Sequence, residues 1–328
     1  MHTHLAVVTI LATTSQHTTP LTWTQAVVMG LLQGVAEMFP VSSLGHTVLV
    51  PAWLNWHNLV NSESKSQSFY LAFVVGLHVA TALALLVFFW RDWVRIIGGF
   101  FTSIRDRKIE TPTQRLAWLL IVATIPAGII GLALEKVLRT QFAKPIYAAI
   151  FLTINGGILL LGERLRKRDS VLNLAVRNGE VVDEEGAATA VTGDPAGGGP
   201  RRRLATLEMK EAGIIGVFQV LPLIAGLSRS GVTMVAGLLR GLDHEDAARF
   251  SFLLATPVIL AAGLLEIHDL TGPLGDGVHK QILVSCICAA VAAYVSVRFL
   301  VHYFETRTLT PFAFYCLIAG VASIIRFA

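Results

Sequence analysis

Six apolar segments, each long enough to cross a lipid bilayer, constrain the fold of this chain more than any other feature. A transmembrane helix needs about 17–25 predominantly apolar residues. The segments cover residues 70–90, 116–134, 145–161, 247–266, 281–301 and 311–327. Only 15% of the 328 residues are charged, whereas about a quarter are charged in a typical soluble domain. We therefore predict an all-α, polytopic membrane protein.

Two further apolar stretches are interrupted by polar and helix-breaking residues. Residues 21–58 are broken by Pro40 and the Ser-Ser-Leu-Gly run at 42–45, and residues 211–239 are broken around 226–231. Each piece is shorter than a full span. Irregular backbone at membrane depth is tolerated only where it is buried in protein or faces water. We predict two re-entrant helix–break–helix pairs whose breaks line a cavity.

The order of these elements divides the chain into two similar halves. One broken pair followed by three spans occurs twice, which is the hydropathy pattern of an inverted repeat. The segment between the halves is rich in glycine and charge, a composition typical of a flexible loop. We predict a flexible N-terminal tail, a first membrane repeat, a flexible cytoplasmic loop and a second membrane repeat at residues 1–20, 21–162, 163–207 and 208–328.

The distribution of lysine and arginine predicts the orientation in the membrane. Residues 91–115 carry six of these side chains and residues 163–210 carry nine, whereas residues 1–64 and 267–279 carry none. Positively charged connecting segments stay on the cytoplasmic side, so we expect both termini outside and the two breaks entering from opposite sides. The same rule accounts for the net charge of +4 without a nucleic-acid partner.

The first break carries side chains with evident chemistry. Gln33 and Glu37 share one helix face, and an ionisable group at membrane depth usually marks function. Ser42 can cap the helix after the break, which leaves Ser43 and His46 in or near its first turn. The unpaired N–H groups and the positive dipole end at such a helix start attract an anion.

The second break complements the first. Ser228, Ser230 and Thr233 supply hydroxyls, and Gly231 allows close approach of the backbone. Arg229 supplies a planar fork of N–H donors that matches a phosphate. A carboxylate, an imidazole, hydroxyls and a guanidinium around two helix starts predict a site that handles phosphate.

Structural roles stay open for several of these residues. Ser43 also fits a simple helix cap, and His46 fits an interfacial histidine bonded to backbone. Glu37 and Arg229 also fit a buried ion pair that holds the halves in register, which is compatible with catalysis. His78, inside the first span, fits either packing with a supporting hydrogen bond or a direct role. The three cysteines lie in apolar runs without metal-ligand spacing and are predicted to be buried hydrophobic side chains.

At these residues the chain resembles the bacterial undecaprenyl-pyrophosphate phosphatases of the bacitracin-resistance type. Gln33, Glu37 and the Pro-Val-Ser-Ser-Leu-Gly-His run at 40–46 match the first motif of that family. The Gly-Leu-Ser-Arg-Ser-Gly-Val-Thr run at 226–233 matches the second. The resemblance covers residues 21–328 outside the long loop, with further similar stretches at 250–257 and 311–315.

The resemblance implies hydrolysis of a polyprenyl pyrophosphate to the monophosphate, which recycles the lipid that carries cell-wall precursors. It also implies an active site open to the outer face of the bacterial cytoplasmic membrane, surrounded by membrane lipids, and help from a divalent cation, Mg²⁺ or Ca²⁺. Gln33 stands where many members have Glu, which removes one metal or proton ligand. Ala225 replaces a proline before the second break, and Cys316 stands where an arginine is common.

In the mechanism that we expect, Arg229 binds the terminal phosphate, and Ser42, Gly231 and the hydroxyls of the second break complete its cradle. Glu37 positions a metal ion or water, with Gln33 and His78 in support. His46, or Ser43 activated by His46, supplies the nucleophile or general base. Phosphoryl transfer depends mostly on positioning and charge stabilisation, so Arg229 is expected to matter most.

Other functions remain as rivals at this point. A lipid transporter or flippase is one, because inverted broken helices are a transporter device. An acid-phosphatase-like lipid phosphatase would need a histidine six residues after Arg229, where Val235 stands. A purely structural membrane protein would have little use for Arg229 at a glycine-rich break. Four points stay open: whether the reaction passes through a covalent phosphoenzyme or direct attack by water, which metal takes part, which prenyl chain length is preferred, and which oligomeric state, including a homodimer, the protein adopts.

Overall fold

The computed structural model describes residues 21–63, 69–142, 144–177, 204–271 and 278–328, which form an all-helical protein. The α-helices among these residues are α1 (Trp23–Met38), α2 (Ser43–Trp53), α3 (His57–Glu63), α4 (Phe69–Phe88), α5 (Trp90–Asp106), α6 (Pro112–Phe142), α7 (Pro145–Arg177), α8 (Met209–Phe218), α9 (Arg229–Leu238), α10 (His244–Thr271), α11 (His279–Tyr303) and α12 (Thr310–Phe327). Two 3₁₀ turns lie at Leu204–Thr206 and Leu221–Leu223. The all-α prediction is confirmed. The predicted tail at 1–20 lies outside the described residues, as does most of the predicted loop.

Several of the described helices are long and apolar enough to cross a membrane. Five of them reach this length by themselves: α6, α7, α10, α11 and α12. A sixth span results if α4 is taken together with α5, although the helices bend by 83° at the break between them. These helices cover the six predicted spans, so the prediction of a multi-pass membrane protein is confirmed.

Helix α5 occupies most of the segment at 91–115 that was expected to connect two spans without regular structure. Its exposed apolar side chains recur every three or four residues and form one stripe, made of Trp90, Val94, Ile97, Phe101 and Ile104. The opposite side packs on α6, where the Trp118 indole N–H donates to Ser103 Oγ at 2.9 Å. The arginines between the apolar residues lower the mean hydropathy, so a search for apolar runs misses this helix. Such amphipathic helices are typical of the membrane interface.

A second difference concerns residue 163, where the sequence predicts the start of a flexible loop. Helix α7 continues past this position to Arg177. The sequence from 163 to 168 is Glu-Arg-Leu-Arg-Lys-Arg, and all of these residues are good helix formers. The polar composition therefore ends the apolar span without ending the helix.

The first helix of each broken pair packs on a helix of the other half. Helix α1 lies against α11, where a Cβ on Gly34 would collide with the Ala289 carbonyl. Helix α8 lies against α6, where a Cβ on Gly216 would collide with the Ala123 carbonyl. Small residues permit this close approach between membrane helices. Each half thus packs the first helix of its broken pair on a helix of the other half, as two equivalent halves would. That the halves are inverted relative to each other stays a prediction.

Both predicted breaks are present. Residues 39–42 separate α1 from α2, and residues 219–228 separate α8 from α9. The two breaks meet inside the protein, because a Cβ on Gly45 would lie only 2.9 Å from the Cα atom of Gly226. The helix–break–helix pattern of each half is confirmed, and its re-entrant course through a membrane stays a prediction.

Candidate active site

The first break turns on Ser42. This residue has φ +70°, a conformation that is uncommon for any residue other than glycine. Its hydroxyl accepts the backbone N–H of Gly45 at 3.1 Å, as the N-cap of α2, and also the N–H of Gly226 at 3.2 Å. One side chain therefore caps a helix and ties the first break to the second. Backbone strain of this kind concentrates at functional sites.

The second break turns on Gly226, which has φ +108° and stands against the Ala148 carbonyl. Ser228 caps α9 and accepts the backbone N–H of Gly231 at 3.1 Å. The Ser230 hydroxyl lies 3.1 Å from the Ser228 hydroxyl and donates to a backbone carbonyl of the first break, that of residue 39, at 3.1 Å. These two predicted phosphate ligands thus hold the loop in place.

Thr233, the third predicted hydroxyl ligand, is also buried. Its Oγ1 atom has no hydrogen-bond partner among the described residues. An unsatisfied buried hydroxyl is rare in folded proteins. Thr233 therefore keeps an unused polar group in α9, one helical turn after Arg229.

Asn155 joins the two breaks from the middle of α7. Its side chain is fully buried, and its Nδ2 donates to the Pro40 carbonyl at 3.0 Å. Its Oδ1 accepts the backbone N–H of Ser228 at 2.9 Å. Cys316 lies beside the same amide, with its sulfur 3.3 Å from Asn155 Nδ2. One amide therefore sets the distance between the loops that carry the two predicted motifs.

Glu37 is the common acceptor of the site. Arg229 donates to its Oε1 atom and the Ser43 hydroxyl donates to its Oε2 atom. Gln33 Nε2 lies 3.1 Å from Oε2, and His78 Nε2 lies 3.2 Å from it. The structure thus brings residues from both halves to one carboxylate, including both residues predicted to support it.

Glu37 is flanked by Arg229 and His78, which lie on its accessible side. His78 Nδ1 lies 2.8 Å from the Val74 carbonyl, and its Nε2 atom faces the carboxylate. The side chains of Arg229 and His78 are 16% and 19% exposed, against 4% for Glu37. A ligand that enters the site therefore meets the guanidinium and the imidazole before the carboxylate, and the guanidinium suits an anion.

His46 has partners that differ from those expected. Its Nδ1 atom lies 2.7 Å from the Ser42 carbonyl, which can only accept, so Nδ1 carries a proton. In the neutral ring, Nε2 accepts the Tyr315 hydroxyl at 2.7 Å. The two rings stack with centroids 5.7 Å apart. The structure thus pairs Ser43 with Glu37, and His46 with Tyr315, whereas activation of Ser43 by His46 was one of the two alternatives expected from the sequence.

Gln33 and Glu37 together present oxygen ligands that fit a divalent cation. Gln33 Oε1 is a buried acceptor without a hydrogen-bond partner among the described residues, next to the Glu37 carboxylate. Carboxylate and amide oxygens suit Mg²⁺ and Ca²⁺. In the described part of the chain, no group of three or more His, Cys, Asp or Glu residues has metal-binding geometry. Glu37 with Gln33 therefore fits an ion that takes its other ligands from a substrate or from water.

Sequence reasoning missed Asn155 and Tyr315 as members of the site. Asn155 had a detectable signal, because an amide at the centre of an apolar span needs a polar partner. Tyr315 follows a Pro-Phe-Ala-Phe run that resembles the family, yet its hydroxyl gave no sign that it faces His46, 269 positions away.

Known proteins match nearly the whole chain. The family described as "Bacitracin resistance protein BacA" matches residues 26–322. The chain is 57% identical to Undecaprenyl-diphosphatase 2 of Frankia alni, with 94% of this chain and 98% of that protein covered. It is 55% identical to Undecaprenyl-diphosphatase of Mycolicibacterium paratuberculosis, with 95% and 99% covered. It is 41% identical to Undecaprenyl-diphosphatase 2 of Chromobacterium violaceum, with 92% and 97% covered.

Proposed function

Because the chain belongs to the bacitracin resistance protein BacA family, we propose that it hydrolyses undecaprenyl pyrophosphate to the monophosphate and phosphate. The single observation that carries this proposal is the contact of Arg229 with Glu37 across the two breaks, beside Ser43. The reaction would recycle the carrier lipid for cell-wall synthesis and confer the bacitracin resistance after which the family is named.

Arg229 has the position of a phosphate ligand. It is the first residue of α9, it lies at the accessible edge of the Glu37 cluster, and its guanidinium can bind two phosphate oxygens at once. A terminal phosphate that takes Arg229 from Glu37 would also release one carboxylate oxygen. The guanidinium would then stand beside the negative charge that develops on the phosphate, where a fixed positive charge accelerates phosphoryl transfer most.

Ser43 and Glu37 form the pair closest to a nucleophile and its base. Hydrolysis breaks the bond between the terminal phosphorus and the bridging oxygen, which keeps the electron pair and leaves on the prenyl monophosphate. As Ser43 Oγ attacks the phosphorus, Glu37 takes the hydroxyl proton along their hydrogen bond. Water then releases phosphate from the serine. Direct attack by a water held at the same place gives the same products, and trapping with labelled substrate distinguishes the two routes.

We include a divalent cation, Mg²⁺ or Ca²⁺, in the proposal. Glu37 and Gln33 Oε1 would hold it, with the remaining ligands supplied by the pyrophosphate and water. When bound, such an ion neutralises charge on the phosphate oxygens. Phosphate release measured with and without a chelator tests this part, and the expected result is strong inhibition that added Mg²⁺ or Ca²⁺ reverses.

Arg229→Ala tests the proposed function most directly. Phosphate release from farnesyl pyrophosphate by the purified protein in detergent is expected to fall at least about a hundredfold, because one transition-state donor is lost. Arg229→Lys keeps the charge but loses the fork, so an intermediate loss of about tenfold is expected. Arg326→Ala, an exposed arginine in the last turn of α12, is the matched control.

Two results would contradict the proposal. Turnover of Arg229→Ala within about threefold of the parent would remove Arg229 from the mechanism. A parent protein that releases no phosphate in the presence of Mg²⁺ or Ca²⁺ would remove the hydrolase function and favour lipid transport.

We also propose that the site opens to the outside of the cytoplasmic membrane and that both termini lie there. Support comes from the basic residues at 91–115 and 163–210, which are typical of cytoplasmic segments. Protease sites inserted at residue 1 and within 178–203 are expected to be cleaved from opposite sides in spheroplasts and inverted vesicles. Cleavage of both from one side would contradict this orientation.

A further inference from the structure

Two side chains leave the first turn of α2 towards different neighbours. The Ser43 hydroxyl meets Glu37, which also holds Arg229, whereas His46 Nε2 meets the Tyr315 hydroxyl at 2.7 Å. Residues three apart in a helix lie on neighbouring parts of one face. We define the polar track as these five side chains, Tyr315, His46, Ser43, Glu37 and Arg229, which form two hydrogen-bonded groups joined through helix α2 between Ser43 and His46.

The two ends of the polar track have different surroundings. Tyr315 is 46% exposed on a side of α12 where Phe314 and Ile318 are 53% and 70% exposed. This end adjoins an apolar surface of a membrane-spanning helix. At the other end, Arg229 shares the Glu37 carboxylate with His78. The track thus leads from a hydroxyl next to lipid-compatible surface to a guanidinium.

A prenyl pyrophosphate has the same order of chemistry: an apolar chain, an inner phosphate and a terminal phosphate. We propose that the Tyr315 hydroxyl binds the inner phosphate, with the prenyl chain on the Phe314 and Ile318 side, while Arg229 binds the terminal phosphate. This inference rests on the proposed function and adds to it the direction in which the substrate lies. It makes Tyr315 a substrate-binding residue outside both sequence motifs.

The hydrogen bond of Tyr315 supports an exchange of this kind. Its O–H donates to a neutral imidazole in the structure, and a phosphate oxygen is the stronger acceptor because it is charged. When the hydroxyl turns to the phosphate, His46 Nε2 loses its partner and becomes a free acceptor within the polar track. Substrate binding would thus expose the His46 base only when the inner phosphate is in place.

Binding of the two products tests the inference, because each product contains only one of the two phosphates. Equilibrium dialysis of the full chain in detergent would measure labelled farnesyl monophosphate and labelled orthophosphate, with empty micelles as the blank. Tyr315→Phe is expected to weaken the binding of farnesyl monophosphate about tenfold, the effect of one charge-assisted hydrogen bond. The affinity for orthophosphate should stay within about twofold of the parent value. Arg229→Lys is expected to weaken the binding of orthophosphate more than the binding of farnesyl monophosphate.

Tyr294→Phe is the matched control, because Tyr294 is a 40% exposed tyrosine of α11 that contacts the Phe88 ring; it should change neither affinity. Equal weakening of the binding of both products by Tyr315→Phe would mean that Tyr315 only holds His46. No change in either affinity would mean that Tyr315 does not bind substrate. Both results overturn the inference. Failure of the proposed function appears separately, as absence of phosphate release by the parent protein, while the dialysis still reports where each product binds.

Discussion

The two broken helix pairs contribute different chemistry to one site. The α1–α2 pair carries a carboxylate, a hydroxyl and an imidazole, all of which can move a proton. The α8–α9 pair carries Arg229, which is the only ionisable residue between positions 212 and 239 and keeps its charge at any physiological pH. One pair is therefore built for proton transfer and the other for binding an anion.

The breaks differ in their backbone as well. The first is four residues long and turns on a serine, whose hydroxyl accepts two backbone N–H groups. The second is ten residues long, contains the 3₁₀ turn Leu221–Leu223 and turns on a glycine. Neither pair completes the site by itself, since Glu37 and Arg229 lie 192 positions apart in the sequence. The catalytic arrangement exists only where the halves meet.

The largest predicted effect separates the roles of the two pairs. Glu37→Gln is expected to lower turnover by about 10³-fold or more, because Ser43 loses its proton acceptor and Arg229 loses its counter-charge. Removing one partner of a buried ion pair also costs about 3–5 kcal/mol of stability. Arg229→Gln is expected to destabilise less, since Arg229 is more exposed and Glu37 keeps His78.

Phosphate release and thermal unfolding of Glu37→Gln, Arg229→Gln and the double variant would measure this difference. Residues that act as a unit are not additive, so the double variant should be no slower than Glu37→Gln alone. Glu110→Gln, a surface glutamate paired with Lys108, is the control. Turnover of Glu37→Gln within tenfold of the parent, or additive losses, would break the assignment of proton transfer to the first pair.

The sequence predicts the two breaks well because both carry unmistakable local signals. A proline, paired serines and a charged residue inside apolar sequence show where a helix is interrupted and which side chains face the interruption. Capping follows local rules, so Ser42 at the start of α2 could be predicted. The meeting of Glu37 with Arg229 was predictable from the assumption that both breaks reach the same depth.

Contacts made by uninterrupted spans are harder to predict. Asn155 and Tyr315 lie in helices that hydropathy describes only as apolar, and their partners are 73 and 269 positions away. Which face of such a helix meets a break depends on packing between helices. The pairing of Ser43 with Glu37, and of His46 with Tyr315, also depends on packing between helices. Helix α5 was missed for another reason, because amphipathic periodicity does not raise mean hydropathy.

The next predicted effect tests the bridge that holds the two pairs in register. Asn155→Ala leaves the Ser228 N–H without its partner and the Pro40 carbonyl with only the weak Cys316 thiol as donor, and an unsatisfied buried group costs about 1–3 kcal/mol. Turnover is expected to fall about ten- to a hundredfold, together with a lower unfolding temperature, because the distance between the breaks is no longer held.

Thr153→Ser is the control for this bridge, since Thr153 lies in the same helix and its hydroxyl bonds only within it, to the Ala149 carbonyl at 2.9 Å. Thermal unfolding and phosphate release of both variants would be compared with the parent. If Asn155→Ala keeps turnover within threefold and unfolds at the parent temperature, the two pairs hold their register without it.

The smallest predicted effects distinguish the two turns by stability. Gly226→Ala adds a Cβ at φ +108° and against the Ala148 carbonyl, and such strain costs about 2–3 kcal/mol. Ser42→Ala removes a helix cap together with the acceptor of the Gly226 N–H, which costs about 2 kcal/mol, and Ser42→Gly costs about 1 kcal/mol less because glycine accepts the positive φ. Thermal unfolding in detergent should therefore place Ser42→Gly nearest to the parent, with Ser42→Ala and Gly226→Ala below it.

Gly98→Ala provides the reference for this ranking, because a Cβ at Gly98 in α5 would have nothing within 4 Å and alanine favours the helix. It should unfold at or above the parent temperature. If Ser42→Gly proves as damaging as Gly226→Ala, the Ser42 hydroxyl, and not the conformational freedom of residue 42, decides the stability of the first break. The first break would then be held by the Ser42 side chain, which bonds to both breaks. The second would be held by the backbone conformation of Gly226, whose positive φ favours glycine.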